Sequence, residues 1–128
     1  KVVVNFTISN LGWGNRHGAA EVKVHLPDHE NYQFNKKVDK SKWSYGKDTF
    51  KLDIADTVVE GNEDGSFEFR HSGDVELKLE VTSDVPMWSP GRGKLEVDGG
   101  YMAMDVFVLR GTAEGKVKID GKWREITV

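Results

Sequence analysis

Cysteine is absent from the 128 residues, which excludes a disulfide framework, a thiolate metal site and a cysteine nucleophile. Long apolar runs are missing as well. The longest, Val106-Phe107-Val108-Leu109, is far short of the roughly 20 residues that a membrane-crossing helix needs. There is no excess of positive charge: 18 Lys and Arg against 21 Asp and Glu leave a net charge of -3. That balance argues against a domain held to nucleic acid by phosphate contacts. No P-loop, no dinucleotide-binding glycine fingerprint and no Ser-His-Asp order is present, and no cofactor is implied. No basic segment leading into an apolar one marks a targeting peptide, and the compartment is left open.

What is present is β-branched. Sixteen Val, four Ile and six Thr outnumber five Ala, seven Leu and three Met, and such side chains favour pleated surfaces over helices. Alternation agrees. Val2, Val4, Phe6 and Ile8 are apolar at every second position, as are Ala20, Val22, Val24 and Leu26. So are Phe50, Leu52 and Ile54, then Phe67 and Phe69, then Val75, Leu77, Leu79 and Val81. A period of two with one apolar face belongs to antiparallel sheets with one wet side. Turn signals separate the runs, and Asp120-Gly121 is the two-residue signal for a type I′ hairpin. The expectation is one all-β domain over residues 1–128, with about ten strands in a β-barrel or barrel-like sandwich. A compact chain of this size exposes about 6,800 Å². The last residues, Trp123 to Val128, read as a strand with no polar tail, which leads to the expectation that more protein follows.

Two segments depart from simple alternation. Residues 102–109 are apolar on both faces, so one face is expected in the core and the other against a ligand, a loop or a second domain. Residues 83–93 hold two prolines and two glycines and yet carry Met87 and Trp88, and binding groups concentrate on such loops. The candidate binding residues are Trp13, Trp43 with Tyr45, Met87 with Trp88, and Met102 with Met104. A Trp at a loop–strand junction also serves simply to plug the end of a barrel, and Trp123 in the last hairpin fits that role best. His25 and His29 flank Pro27 and Asp28, and without a helix their spacing does not aim two ligands at one metal. Asp105 is the one carboxylate within an apolar stretch; facing inward it would be a candidate acid, facing outward an ordinary solvated one. No catalytic residue is assigned.

Several stretches, taken in order, resemble the first half of a lipocalin-like group. It includes the AttH-like proteins, the fungal oxidative-stress survival factors and carotenoid hydratase (hydroxyneurosporene synthase). The matching features are the opening strand 2–9 with its glycine-rich loop into 19–26, Lys42-Trp43-Ser44, Asp64-Gly65-Ser66-Phe67, and Asp74-Val75-Glu76-Leu77-Lys78-Leu79. Last comes Phe107-Val108-Leu109-Arg110 leading to Gly115-Lys116-Val117-Lys118-Ile119-Asp120-Gly121-Lys122. The resemblance implies a lipocalin-like fold, a small hydrophobic ligand (an isoprenoid such as a carotenoid, a lipid or a polyketide), and a second lipocalin-like half or partner chain. It implies no acid or base within these residues; a hydratase or cyclase centre would draw them from elsewhere. From a different class, exposed Trp13, Trp43 or Trp88 on a β-sandwich would suit a carbohydrate-binding module.

Overall fold

The computed structural model describes residues 1–9, 16–46, 48, 50–89, 91, 93–108 and 110–128. Among the described residues there is no α-helix, only one 3-10 turn at Lys40–Lys42. No helix is long and apolar enough to cross a membrane. The strands are β1 Val2–Ser9, β2 His17–Val24, β3 Tyr32–Val38, β4 Trp43–Gly46, β5 Lys51–Ile54 and β6 Thr57–Gly61. They continue with β7 Phe67–His71, β8 Glu76–Ser83, β9 Lys94–Val97, β10 Gly100–Ala103, β11 Gly111–Ile119 and β12 Lys122–Thr127.

Every strand pair is antiparallel. A seven-stranded sheet runs β12-β11-β8-β7-β6-β5-β4, a three-stranded sheet runs β1-β2-β3, and β9 and β10 pair alone. None of these sheets closes on itself. Alternation decides which faces meet. Ala20, Val22 and Val24 of β2 are buried, and so are Leu52 and Ile54 of β5, Phe69 of β7, Leu77 and Leu79 of β8, and Val117 of β11. The charged residues between them stay wet. The two inner faces pack together in two clusters, one around Val22, Val24, Leu77, Leu79 and Val117, the other around Ala20, Leu52 and Ile54. Full burial of one such side chain stabilises the fold by about 1.5–3 kcal/mol.

The turns show how local chemistry sets register. Asp120 and Gly121 have φ of 52° and 77°, as a type I′ turn requires, and Ile119 pairs with Lys122 across it. The β5–β6 turn has the same left-handed signature at Ala55 and Asp56, with φ of 52° and 62°. Neither is glycine or asparagine, so this turn is silent in the sequence.

The apolar run 102–109 is not one strand. β10 ends at Ala103, and Val106 then forms an isolated bridge with Trp88. Six positions separate Trp88 from Lys94 on one side, while three separate Val106 from Ala103 on the other. The two sides therefore cannot run as one continuous ladder. Leu109, the end of that run, lies outside the described residues. The chain exposes 9013 Å², above the roughly 6,800 Å² expected of a compact chain of this size.

Glycines let β11 approach β8 closely. A Cβ at Gly115 would stand 2.0 Å from the Lys78 carbonyl oxygen, and one at Gly111 2.2 Å from that of Thr82. Both obstacles are backbone within a ladder, so neither can swing aside. Gly115→Ala is expected to cost at least about 2 kcal/mol in urea unfolding at pH 7. An unchanged midpoint would show that the two strands separate more easily than this ladder implies.

Candidate functional site

A sheet of three strands spans about 10 Å between its outer strands, and one of seven about 29 Å, at the usual strand spacing. The small sheet therefore covers only part of the large one. At one end of the strands, beyond the buried Leu52 of β5 and Phe69 of β7, four aromatic rings gather. Tyr45 of β4, Phe50 just before β5, and Phe67 of β7 occupy inward positions in their strands, and Phe107 arrives from the segment after β10. The Phe50 ring lies 5.8 Å from Tyr45, 6.0 Å from Phe67 and 4.9 Å from Phe107, and Phe67 lies 6.2 Å from Phe107. The contacts are tilted or edge-on, the arrangement that ring quadrupoles favour. None of the four belongs to either buried cluster. Gly61, between Phe50 and Phe67 across the sheet, leaves the rings room: a Cβ there would meet Phe50 at 3.4 Å.

The residues singled out from the sequence divide three ways. Tyr45, 49% exposed, joins the aromatic group. Trp43, its neighbour on the same face, covers the second buried cluster instead. Its indole N–H donates to the Arg16 carbonyl at 2.9 Å, the Arg16 guanidinium sits 5.3 Å from its ring, and the ring lies against Gly18. Met87, Trp88, Met102 and Met104 are all about half exposed or more, on the projecting segment. Trp88 exchanges backbone hydrogen bonds with Val106, next to Phe107. Trp13 lies outside the described residues. Asp105 is exposed and accepts a hydrogen bond from the Ser89 hydroxyl, so it is the solvated form of the two that the sequence allowed.

Sequence reading passed over Phe50 and Phe67, because alternation marks them as core like any other inward position; Phe107 falls in the 102–109 run, one face of which was expected against a ligand, a loop or a second domain. Sequence reading also passed over a buried polar seam. His71 of β7 is 2% exposed. Its Nε2 lies 2.9 Å from the Tyr32 hydroxyl of β3, and its Nδ1 lies 2.9 Å from Thr57 Oγ1 of β6. The Thr57 hydroxyl in turn donates to the Ala55 carbonyl at 3.3 Å. That chain fixes the proton by elimination: Thr57 accepts from Nδ1–H, and Nε2 accepts from the Tyr32 hydroxyl. The neutral imidazole thus joins the two sheets. Burial pushes its pKa below the ordinary value, with Asp56 opposing, and burial followed by Asp74 pushes the Tyr32 hydroxyl up.

The outer face of the large sheet is ionic. Glu60, Glu68, Glu80 and Glu114 stand opposite one another across four strands, and Arg70 pairs with Glu60 and Glu68. A shallow hollow of about 530 Å³ lies there, lined by Glu68, Lys78, Glu80, Glu114, Lys116 and Trp123 among others. Lys78 and Lys118 reach over the Trp123 ring at 5.2 and 5.8 Å. Among the described residues no group of three or more acidic or histidine side chains is placed to hold a metal ion. Comparison with family models, curated proteins and solved structures gave no match.

His71 makes stability depend on pH. Its folded pKa is depressed, so the unfolded chain takes up the proton first. The stabilisation is complete above the unfolded value of about 6.5 and is lost as pH falls toward the folded one. Urea unfolding between pH 7.5 and 5 is expected to show falling stability. His71→Phe, less stable at pH 7.5 by about 1–3 kcal/mol through the stranded hydroxyls, should show a flatter profile.

Proposed function

We propose that this chain binds a small hydrophobic molecule, an isoprenoid such as a carotenoid, a lipid or a polyketide, at the aromatic end of the sandwich. The observation that carries the reading is the group of Tyr45, Phe50, Phe67 and Phe107: three rings at inward strand positions with Phe107 laid against them, outside both cores, beside an exposed Met87-Trp88. Pure packing would have buried them under the smaller sheet. Partly open, they form a wall that loses water contact when a greasy guest arrives, at roughly 25 cal/mol per Å² of apolar surface covered. The residues assigned to the guest are Tyr45, Met87, Trp88, Met102 and Met104, joined by Phe50, Phe67 and Phe107. Trp43 braces the wall.

In this reading the fold is a barrel-like sandwich of the lipocalin kind, and the chain is the amino-terminal half of an AttH-like or carotenoid-hydratase-like protein. The close approach of β11 to β8 at Gly111 and Gly115 supports it, since glycines in strands mark the tight bends that curl a sheet. A hydratase or cyclase step would take its acid from the second half. A second reading, a carbohydrate-binding face, has one observation in its favour. Trp123, 41% exposed, borders a hollow rich in Glu and Lys on the outer face.

Titration with retinol, β-carotene and oleic acid, followed by tryptophan fluorescence, tests the first reading. Quenching with a micromolar Kd is expected, and Phe107→Ala should weaken it about tenfold, the loss of one buried ring face. Trp123→Ala should leave it unchanged. No response to any of the three lipids, with retardation on polysaccharide gels that Trp123→Ala abolishes, would favour the sugar-binding face instead.

A further inference from the structure

The segment between β8 and β11 is a long two-stranded arm. Ser83 pairs with Gly111, the Asp84 N–H donates to the Arg110 carbonyl at 2.9 Å, and Trp88 and Val106 exchange bonds at 3.1 and 2.8 Å. The β9–β10 hairpin forms its outer end. Every residue of that hairpin is exposed, on both faces. Leu95, Val97 and Met102 share one face and are each more than half exposed. A two-stranded ribbon is marginal in water by itself, and three or more strands with an apolar face are the usual minimum. Among the described residues both of its edges are unpaired, which is the condition that invites a further strand.

The free edge of β9 selects its own partner. The two-residue Asp98-Gly99 turn makes Val97 and Gly100 the pair that exchanges backbone bonds. In an antiparallel ladder the sense then alternates, so Leu95 also bonds inward while Lys94 and Glu96 direct their N–H and C=O outward. A second β9 laid antiparallel along this edge can match outward groups in three central registers. One sets Lys94 against Lys94 and another Glu96 against Glu96, and both are repulsive. The third sets Lys94 against the partner's Glu96, twice by symmetry, with Leu95 against the partner's Leu95. It also lines up Met102, Leu95 and their copies in one apolar row across four strands. The outward residues of β10, Tyr101 and Ala103, carry no charge with which to set a register.

We propose that two copies of this chain associate through antiparallel β9–β9 pairing centred on Leu95, giving a four-stranded sheet β10-β9-β9-β10. The interface is isologous, as a closed dimer requires. It brings together the Leu95 side chains of the two copies, each more than half exposed in the single chain. A lipid surface fits the arm less well, because its tip is Asp98-Gly99 and its flanks carry Asp84, Glu96 and Asp105.

Sedimentation velocity of the 128-residue chain from micromolar to several hundred micromolar tests the pairing, with circular dichroism confirming the fold of each variant. A concentration-dependent dimer is expected. Lys94→Glu and Glu96→Lys should each weaken it about tenfold by creating two like-charge pairs. The double variant Lys94→Glu/Glu96→Lys, which restores both pairs, should recover dimerisation, and Leu95→Asp should abolish it. Single reversals without effect, or a double variant no better than the singles, would overturn the register and with it the proposal. So would a chain that stays monomeric throughout, whether or not it floats with phosphatidylcholine vesicles.

Discussion

The structure depends on β2. It is the central strand of the smaller sheet, and its buried Ala20, Val22 and Val24 meet the inner faces of β5, β8 and β11. Without that apolar row the seven-stranded meander would present much of Phe69, Leu77, Leu79 and Val117 to water, since Val2, Val4, Tyr32 and Phe34 of the flanking strands only border the cluster that β2 enters. Trp43 closes one flank of the contact by hydrogen bonding to the start of β2, and the His71 seam closes another through β3. The seam is polar yet complete, since each donor in it finds an acceptor, and a buried network of that kind specifies how two sheets align.

The rest of the surface follows from where the core stops. Leu52 of β5 and Phe69 of β7 are buried, whereas Phe50 and Phe67, two residues further along the same faces, lie outside both clusters at one end of the strands. The long excursion between β8 and β11 cannot return over that end as a continuous strand, because its two sides differ in length. It leaves as an arm, delivering Phe107 to the aromatic group and carrying Met87, Trp88, Leu95 and Met102 outward. The candidate ligand site and the candidate self-association edge thus have one geometrical origin.

The wet face is organised as firmly as the dry one. Rows of Glu60, Glu68, Glu80 and Glu114 alternate with rows containing Arg70, Lys78 and Lys116, so each repulsive cross-strand pair has cations diagonally beside it. The Arg70 pairs with Glu60 and Glu68 raise the guanidinium pKa and hold the row together. Such exposed pairs stabilise a fold little.

Much of the fold was legible because strand alternation is a local property. The positions of Val22, Val24, Leu52, Ile54, Leu77 and Leu79 follow from period two, and the Asp120-Gly121 hairpin follows from the left-handed backbone that such a pair tolerates. The Ala55-Asp56 turn was not legible, since neither residue advertises a positive φ. Nor was the break in the 102–109 run, which depends on a count of residues in the opposite strand. Of the candidate site, Tyr45, Met87, Trp88, Met102 and Met104 were named from the sequence because exposed or loop-borne aromatics and methionines stand out from a charged background. Phe50, Phe67 and His71 were not, because an inward residue in a strand looks the same whether its neighbour is another sheet or open space. The chain by itself determined the class, the strand faces and the tight hairpin, all set by neighbours within a few residues. Which inward faces would be covered, which would stay open and which histidine would lose its water were decided only when the sheets met, since each rests on the relative width and register of segments far apart in the chain.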